Sequence, residues 1–340
     1  MAETTRRMYL GFALLVVITL STVSFSVLNW HCLSRRFAYT TKVSNSSFPL
    51  RRSSCFTVSF APRSRRSRLG NHLFQYAAVW YVAWLTGRKP NFQMLLKRSK
   101  LEAVFDLVTE PSVNSKRCPV IRFIHRPLYG YDDRVKHLKN VNENISIHLD
   151  GTFCSWRYTQ PVEDQLRKRL QFHRNLTTFA EQFLYDNLPR KWNAYTFIRV
   201  GVHVRRGDFL DKPQRRNGFI VASKEYLERA MTYYIERYSP VQFIVASDDI
   251  DWCRKNIELS SLNQENINIT FSIAHSAEQD LALLASCNCS IMTTGTFSWW
   301  ASWLTHGSTV YYENFSRPRS SLWKRSKAAD FFPPSWIAKY

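Results

Sequence analysis

The second half of the chain alternates short apolar runs with amphipathic stretches. Short β-branched runs are typical of buried strands, and apolar positions at helical spacing indicate helices. The pattern predicts strands at residues 197–204, 241–246, 269–273, 290–292 and 309–312, the last being the final strand. It predicts helices at residues 224–238, 250–257, 278–286 and 296–305, the last of which ends at Gly307. Strands that alternate with helices in this way indicate a parallel sheet.

The first half shows the same alternation less clearly. Residues 55–61 predict a strand, and a glycine turn then leads into an apolar helix that Gly87 caps. Residues 90–149 contain short helical patches and turns before a strand at 145–149, and helices are predicted at 162–172 and 176–188. The sequence therefore predicts an α/β protein with two domains, residues 55–194 and 195–340.

The N-terminus contains one long apolar run. Residues 8–28 carry no charge and are long enough to span a bilayer. A cleaved signal peptide is the alternative, but its apolar core is shorter and ends at a small-residue cleavage site that is not evident here. We therefore predict a cytosolic tail at residues 1–7, an uncleaved anchor at 8–28 and a stem at 29–54.

Glycosylation sequons and cysteines indicate the compartment. N-x-S/T sequences begin at Asn45, Asn144, Asn175, Asn268, Asn288 and Asn314, which favours a body in the secretory lumen. Of the seven cysteines, six lie beyond the predicted stem and allow 15 pairings. Their spacing does not suggest a zinc site.

Composition narrows the class of ligand. The chain has 340 residues, 45% of them apolar, and a formal net charge of +21. So much apolar surface excludes a disordered protein. A basic chain suggests nucleic acid, an anionic membrane or a phosphorylated ligand. No basic-aromatic nucleic-acid module is visible, so we expect no nucleic-acid partner.

The loop after residues 197–204 carries the main candidate chemistry. His203, Arg205, Arg206 and Asp208 lie at the carboxyl end of that strand, where ligands of open α/β sheets bind. Arginine makes paired, charge-assisted hydrogen bonds and stays protonated, which suits a diphosphate. The alternative is a solvated basic turn.

Two further loops should reach the same edge of the sheet. The helix that begins at Thr296 follows Gly295 and several hydroxyl side chains, and such a helix N-terminus can bind an anion. Ordinary capping by Thr296 is the alternative. Capping of the helix after residue 249 explains Asp248 or Asp249 better than metal binding does.

Four motifs together resemble one family. V-G-V-H-V-R-R-G-D at 200–208 is similar to the H-x-R-R-x-D signature shared by α1,2-, α1,6- and protein O-fucosyltransferases. R-L-G-N-H-L-F-Q-Y-A-A at 68–78, S-D-D-I-D-W-C at 247–253 and T-G-T-F-S-W-W-A-S-W-L at 294–304 narrow the resemblance. They resemble the galactoside α1,2-fucosyltransferases, most closely the nematode members, over residues 55–315 and in the family's order.

The resemblance implies a GT-B-like fold, in which two Rossmann-type domains face a cleft behind a transmembrane helix and a stem. It implies GDP-fucose as donor, a galactose-containing glycan as acceptor, inversion at the anomeric carbon, no metal or other cofactor, and a type II Golgi membrane protein with a luminal catalytic domain. The family differs before L-G-N, where it often has more glycine than Ser67-Arg68, and the tail after Arg317 has no clear match. The choice of acceptor is therefore open.

The resemblance also assigns roles to residues. Arg205 matches the arginine on the donor diphosphate, and Arg206 supports the loop. The other matched positions are His203 and Asp280, which face the guanine; Thr296, Phe297 and Ser298, which close over the nucleotide; and Gly70 and Asn71, in the donor-side turn of the first domain.

Inversion requires a proton acceptor for the attacking hydroxyl, or late transfer to the phosphate. Asp208, Asp150 and His203 are candidates, and Asp208 is our prediction. Its alternative role is a structural partner for Arg205 or Arg206. The alternative functions are a fucosyltransferase with another acceptor (α1,6 or protein O-linked) and an inactive, membrane-anchored glycan-binding protein.

Overall fold

The computed structural model describes residues 55–60, 68–107, 118–192, 197–257 and 264–340. The predicted tail, anchor and stem, residues 1–54, lie outside these ranges. Within the described ranges, no helix is both long and apolar enough to cross a membrane.

The first half builds a parallel sheet of four strands. These are β1 (Thr57–Phe60), β2 (Lys89–Asn91), β3 (Val120–Ile124) and β4 (Ser146–Asp150), in the order β2-β1-β4-β3. The sequence pattern missed β2 and β3. In β3 only Phe123 is buried, because β3 is an edge strand and its other side chains face solvent. An edge strand without a buried face lacks the alternation that sequence reading depends on.

Helix α1 (Leu69–Thr86) lies between the two halves of the molecule. It ends at Gly87, whose φ of 67° is left-handed, as the glycine cap predicts. From Leu69 to Ala83 all but one of its residues are buried. A helix that is apolar all round is packed on all sides. The neighbours of α1 include β1 and a helix from the second half of the chain, Thr296–Thr305.

Shorter helices complete the first half. They are α2 (Gln93–Leu96), α3 (Glu163–Arg169) and α4 (Arg174–Asp186), with 3-10 turns at Leu101–Ala103, Asp133–Asn140, Trp156–Tyr158 and Gln160–Val162. Helix α3 is shorter than the predicted 162–172 because its first turn is the 3-10 segment. Its last residue precedes Leu170, whose backbone leaves the helical region.

The second half builds a parallel sheet of six strands. These are β5 (Ile198–Val204), β6 (Val241–Ser247), β7 (Ile267–Phe271), β8 (Cys289–Met292), β9 (Thr309–Tyr312) and β10 (Ile337–Lys339). Their order is β10-β9-β8-β5-β6-β7. The prediction that β9 is the final strand was wrong, because β10 pairs beside it. Since the order reverses between β5 and β8, ligands are expected outside the carboxyl ends of those two strands.

The connecting helices include the four that the sequence predicted and three short ones that it did not. They are α5 (Lys212–Asn217), α6 (Lys224–Ile235), α7 (Ile250–Asn256), α8 (Ala277–Ala285), α9 (Thr296–Thr305), α10 (Ser321–Lys324) and α11 (Ala328–Phe331), with 3-10 turns at Gly207–Leu210 and Gln264–Asn266. Helix α9 has its predicted bounds, but the left-handed residue that ends it is His306, with a φ of 63°, and not Gly307. Gly307 instead packs so closely on Asn288 that a Cβ would lie 1.8 Å from its carbonyl oxygen.

The end of the chain crosses back to the first half. The Lys327 amide donates to the Tyr129 carbonyl at 2.7 Å. The Trp156 indole donates to the Ala329 carbonyl at 2.9 Å. Arg157 forms an ion pair with Asp330 at 3.1 Å. The domain boundary predicted at 194 falls within residues 193–196, outside the described ranges, and stays a prediction.

Aromatic side chains fill the contact between the halves. Phe74 of α1 lies 4.6 Å from Trp299 and 5.2 Å from Trp300, between ring centroids. The ring centroid of Phe331, in α11, lies 6.3 Å from that of Phe74. Large buried aromatic rings contribute strongly to packing energy, and edge-to-face pairs add to it. Trp299 and Trp300 are fully buried core residues, and neither lines the ligand cavity described below.

Two features bear on the predicted compartment. Cys55 and Cys118 form a disulfide that ties the start of β1 to the approach to β3. Disulfides of this kind persist in oxidising compartments. Among the sequons, Asn144 and Asn175 are exposed. The Asn288 side chain accepts a hydrogen bond from the Arg199 amide at 2.9 Å, so its amide is held inside the fold.

Candidate active site

A cavity of about 960 Å³ opens at the carboxyl ends of β5 and β8. Both halves of the molecule line it. Of the predicted site residues, it brings together Gly70, Asn71, His203, Arg205, Asp208, Asp280, Thr296 and Phe297. Two predicted residues, Arg206 and Ser298, do not line it, and neither does Asp150. A cavity of this size is typical of small-molecule sites.

Arg205 reaches into the cavity from the end of β5. Its backbone amide donates to Thr293 Oγ1 at 2.9 Å, which ties the loop to the end of β8. Its guanidinium contacts two carboxylates, Asp208 and Asp248, the latter at 2.6 Å. The side chain is 18% exposed, so its charge is held in one place and only partly screened by water.

Arg206 points away from the cavity and braces the loop. Its Nε donates to Asp249 at 3.0 Å, and its guanidinium lies 3.7 Å above the ring of Trp252. Asp249 also caps α7 by accepting from the Trp252 amide at 3.3 Å. Asp248 accepts from the Arg206 amide at 2.9 Å. The two adjacent acidic residues therefore hold the arginine loop and a helix cap, and Asp249 is the capping residue.

Asp208 lies between two guanidinium groups. It pairs with Arg205 and with Arg68, the latter at 3.0 Å across the cavity from the start of α1. Each of its two carboxylate oxygens is therefore held by one guanidinium group. The sequence left open whether Asp208 is the catalytic base or a structural partner of Arg205 or Arg206. The observed contact with Arg205 is the one expected for the structural role.

The N-terminus of α9 is open toward the cavity. Its N-cap position is Gly295, with a φ of 95°, and no side chain caps the helix. The alternative of capping by Thr296 is therefore wrong, because Thr296 is already the first helical residue. Gly70 packs so closely here that a Cβ would lie 2.5 Å from the carbonyl carbon of Thr296. Because no side chain caps α9, its helix dipole and its first amides are available to an anion.

His203 is a buried and neutral side chain on the cavity wall. Ser298 Oγ donates its proton to the Thr294 carbonyl at 3.1 Å. In its 2.5 Å contact with His203 Nδ1, the hydroxyl oxygen must therefore accept, so Nδ1 carries the proton. This network leaves Nε2 as a hydrogen-bond acceptor. Burial, helped by the charge of Arg205, lowers the pKa of His203 to about 3. Ser298 therefore acts through His203 and is itself buried.

Asp280 closes another side of the cavity. It accepts from Ser272 Oγ at 2.6 Å, and Ser272 Oγ in turn lies 2.8 Å from Nδ1 of His275. Burial raises the pKa of Asp280, while the Ser272 hydrogen bond and the nearby His275 oppose that rise. Its second oxygen is available as an acceptor for a ligand N–H group.

Several lining residues were missed by the sequence analysis. They are His72, Arg98, Lys100, Tyr129, Thr152, Phe219, Ser321 and Arg325, among others. Thr152 follows β4, so its place at a strand's carboxyl end was the one available signal. The described part of the chain contains no group of three or more His, Cys, Asp or Glu side chains that could hold a metal ion.

Comparison of the sequence with known proteins identifies its family. Residues 27–339 match glycosyl transferase family 11. The chain belongs to that family. It is therefore a glycosyltransferase, and the resemblance found in its motifs is confirmed.

Two family 11 relatives illustrate the match. The galactoside alpha-(1,2)-fucosyltransferase 1 of Oryctolagus cuniculus is 32% identical over 274 residues, covering 79% of this chain and 70% of the relative. The enzyme of the same name from Homo sapiens is 33% identical over 275 residues, covering 79% and 72%. A solved structure of Arabidopsis thaliana FUT1 with GDP shares only 12% identity, with a TM-score of 0.51 over 83% of this chain and 76% of the other. It supports the predicted GT-B-like fold.

Proposed function

We propose that this enzyme transfers L-fucose from GDP-fucose to the 2-hydroxyl of galactose on glycans, forming an α1,2 linkage with inversion. One observation carries the proposal: Arg205, Arg68 and the uncapped N-terminus of α9 surround one cavity in a family 11 fold. The relatives at 32–33% identity are named galactoside α1,2-fucosyltransferases, which favours this acceptor over the α1,6 and protein O-linked alternatives.

The diphosphate of the donor is proposed to lie between Arg205 and the N-terminus of α9. As the bond from the fucose C1 to the phosphate oxygen breaks, negative charge develops on the leaving GDP. A fixed guanidinium and a helix dipole stabilise such charge in a partly desolvated site. These groups can perform the task that a metal ion performs elsewhere, so we propose that no metal is required.

The guanine is proposed to lie between His203 and Asp280. A guanine edge offers two N–H donors and needs acceptors. The free Nε2 of a neutral His203 and the carboxylate of Asp280 are acceptors. Phe297, whose ring centroid lies 4.7 Å from that of His203, supplies an aromatic wall beside them.

The proton of the attacking hydroxyl needs an acceptor as the new C1–O bond forms. The predicted base Asp208 lines the cavity, but its two ion pairs would have to loosen before it could accept a proton. The same geometry supports its other predicted role, in which Asp208 positions Arg205. In that case the proton passes late to the leaving phosphate, which gains basicity as the C1–O bond breaks.

The body of the protein is proposed to lie in the Golgi lumen behind an N-terminal anchor. The 21-residue uncharged run at 8–28, the sequons and the Cys55–Cys118 disulfide support this proposal.

The proposed function is tested with the full-length protein in detergent. The protein is incubated with GDP-fucose and either a galactoside or a mannose-terminated control glycan. An α1,2-specific fucosidase should then remove the transferred fucose from the galactoside product. A product that resists this enzyme would point to another linkage. GDP binding without transfer to any glycan would favour the inactive glycan-binding alternative.

A further inference from the structure

A second part of the cavity wall contains none of the residues assigned to the donor. It is formed by helix α5 and the residues after it, together with the tail that follows β9. The residues of this second wall are Gln214, Asn217, Phe219, Ser321, Leu322 and Arg325. The motifs did not extend into this tail, but the family match to residues 27–339 includes it.

Backbone hydrogen bonds fix the shape of the second wall. The Arg317 amide donates to the Gly218 carbonyl at 2.8 Å, and the Ile220 amide donates to the Phe315 carbonyl at 3.0 Å. The Leu128 amide donates to the Arg325 carbonyl at 2.7 Å, which joins the tail to the first half of the chain. The wall is therefore assembled from three separate segments before any ligand arrives.

The chemistry of the second wall suits a sugar. Gln214 and Asn217 offer amide donors and acceptors, and Ser321 offers a hydroxyl. The ring of Phe219 stacks on Phe209, with centroids 4.4 Å apart, and gives the wall an aromatic surface. Few polar groups over an aromatic or apolar surface are typical of small-molecule sites.

Arg325 lines the second wall, and three further arginines lie close to its segments. The Arg325 guanidinium donates to the Arg126 carbonyl at 3.3 Å, and the Arg317 guanidinium donates to the Arg216 carbonyl at 3.4 Å. All four arginines are exposed. Within the described ranges none of the four pairs with a carboxylate, and the nearby Asp330 pairs with Arg157 instead.

We propose that the second wall is the acceptor subsite and that it prefers a galactoside whose neighbouring sugar carries an anionic group. The inference rests on the fucosyltransferase function proposed above. An anionic substituent gives the unpaired guanidinium groups a partner, and arginine forms charge-assisted hydrogen bonds with sulfate, phosphate and carboxylate oxygens. Asn217 and Gln214 then hold the galactose itself.

The test compares matched acceptors at fixed, saturating GDP-fucose. They are N-acetyllactosamine and the same disaccharide carrying a sulfate, a phosphate or a carboxylate on the residue next to galactose. The galactose 2-hydroxyl is free in all of them. We expect kcat/KM to be about three- to tenfold higher for the anionic acceptors at low salt. The difference should shrink toward 0.5 M NaCl because salt screens exposed charges. The arm with the largest difference identifies the anionic group.

Two variants locate the effect. Arg325→Gln should lower kcat/KM for the anionic acceptor about three- to tenfold more than for the neutral acceptor, so that most of the preference is lost. Arg254→Gln, which removes an exposed arginine outside the cavity lining, is the control and should keep the preference. Asn217→Ala should raise the KM for both kinds of acceptor and leave GDP binding intact.

Each outcome decides a separate point. Equal kcat/KM for neutral and anionic acceptors in the wild type would overturn the inference and leave the proposed function standing. A preference that survives in Arg325→Gln would also overturn it, because the selecting charge would then lie elsewhere. Absence of transfer to every galactoside, in protein that binds GDP, would refute the proposed function and this inference with it.

Discussion

Replacing Arg205 by lysine tests whether the arginine loop is the donor site. Lysine keeps the positive charge but replaces a planar fork with one compact ammonium. The guanidinium contacts Asp208 and Asp248 and still has donor groups for a ligand, whereas an ammonium cannot hold both carboxylates and a diphosphate in one geometry. We therefore expect Arg205→Lys to fail nearly as badly as Arg205→Ala.

The expected loss follows from the burial of this charge. The side chain is 18% exposed, so the proposed contact with the leaving phosphate would be only partly screened. Losing a donor that stabilises developing charge in such a site costs about 3–4 kcal/mol, or roughly 100- to 1000-fold in rate. The loss should fall on kcat more than on the KM for GDP-fucose, because the contact strengthens as GDP leaves.

The assay is the initial rate with saturating acceptor across a GDP-fucose series. The melting temperature and the Kd for GDP are measured on the same preparations. Arg206→Lys is the matched control, because Arg206 braces the loop from outside the cavity. It should lower stability more than turnover. A folded Arg205→Lys enzyme within about threefold of wild-type kcat would refute the reasoning, since a fixed donor of this kind contributes far more.

Four further predictions follow from other parts of the structure. Gly70→Ala should lower the free energy of unfolding by about 1–3 kcal/mol and reduce activity, because the added Cβ would clash with the Thr296 backbone. Denaturant titrations measure the change. Gly130→Ala is the control, because a Cβ at Gly130 would make no contact closer than 3.4 Å. Turnover should survive EDTA, and complete loss restored by Mn²⁺ would refute metal independence. His203 should lower the free energy of unfolding by about 2 kcal/mol between pH 7.5 and 5. The unfolded chain binds a proton at this histidine near pH 6.5, whereas the folded ring, with its pKa lowered to about 3, does not. In urea titrations, His203→Asn should show a shallower fall over the same pH range. Glycosidase treatment of protein from cells should lower its apparent mass, and an unchanged Asn288→Gln mass would show that this half-buried sequon is unoccupied.

Most of the second half of the fold could be predicted because β5, β6, β8 and β9 are short runs of mostly buried residues. Helices separate these strands along the chain. Asp249, one of the two caps that the sequence offered, caps α7, and Ser223 caps α6. The edge strands β3 and β10 were missed because neither has the run of buried residues that marks a central strand.

The cavity residues at strand ends could be predicted, and those that reach the cavity from distant segments could not. His203, Arg205 and Thr296 lie in loops at strand ends or helix starts, where parallel sheets bind ligands. Arg68 reaches Asp208 across the cavity, and Arg325 arrives from the tail. Such contacts depend on how distant segments meet, and periodicity within one segment carries no information about them.

The aromatic contact around Phe74 has a consequence for how the protein melts. Phe74 lies on a helix of the first half, and Trp299 and Phe331 come from the second half. Separating the halves would expose all three rings to water at once, a cost that neither half could offset alone. Heating should therefore give one calorimetric transition for both halves together, and a polypeptide ending near residue 192 should not remain soluble on its own.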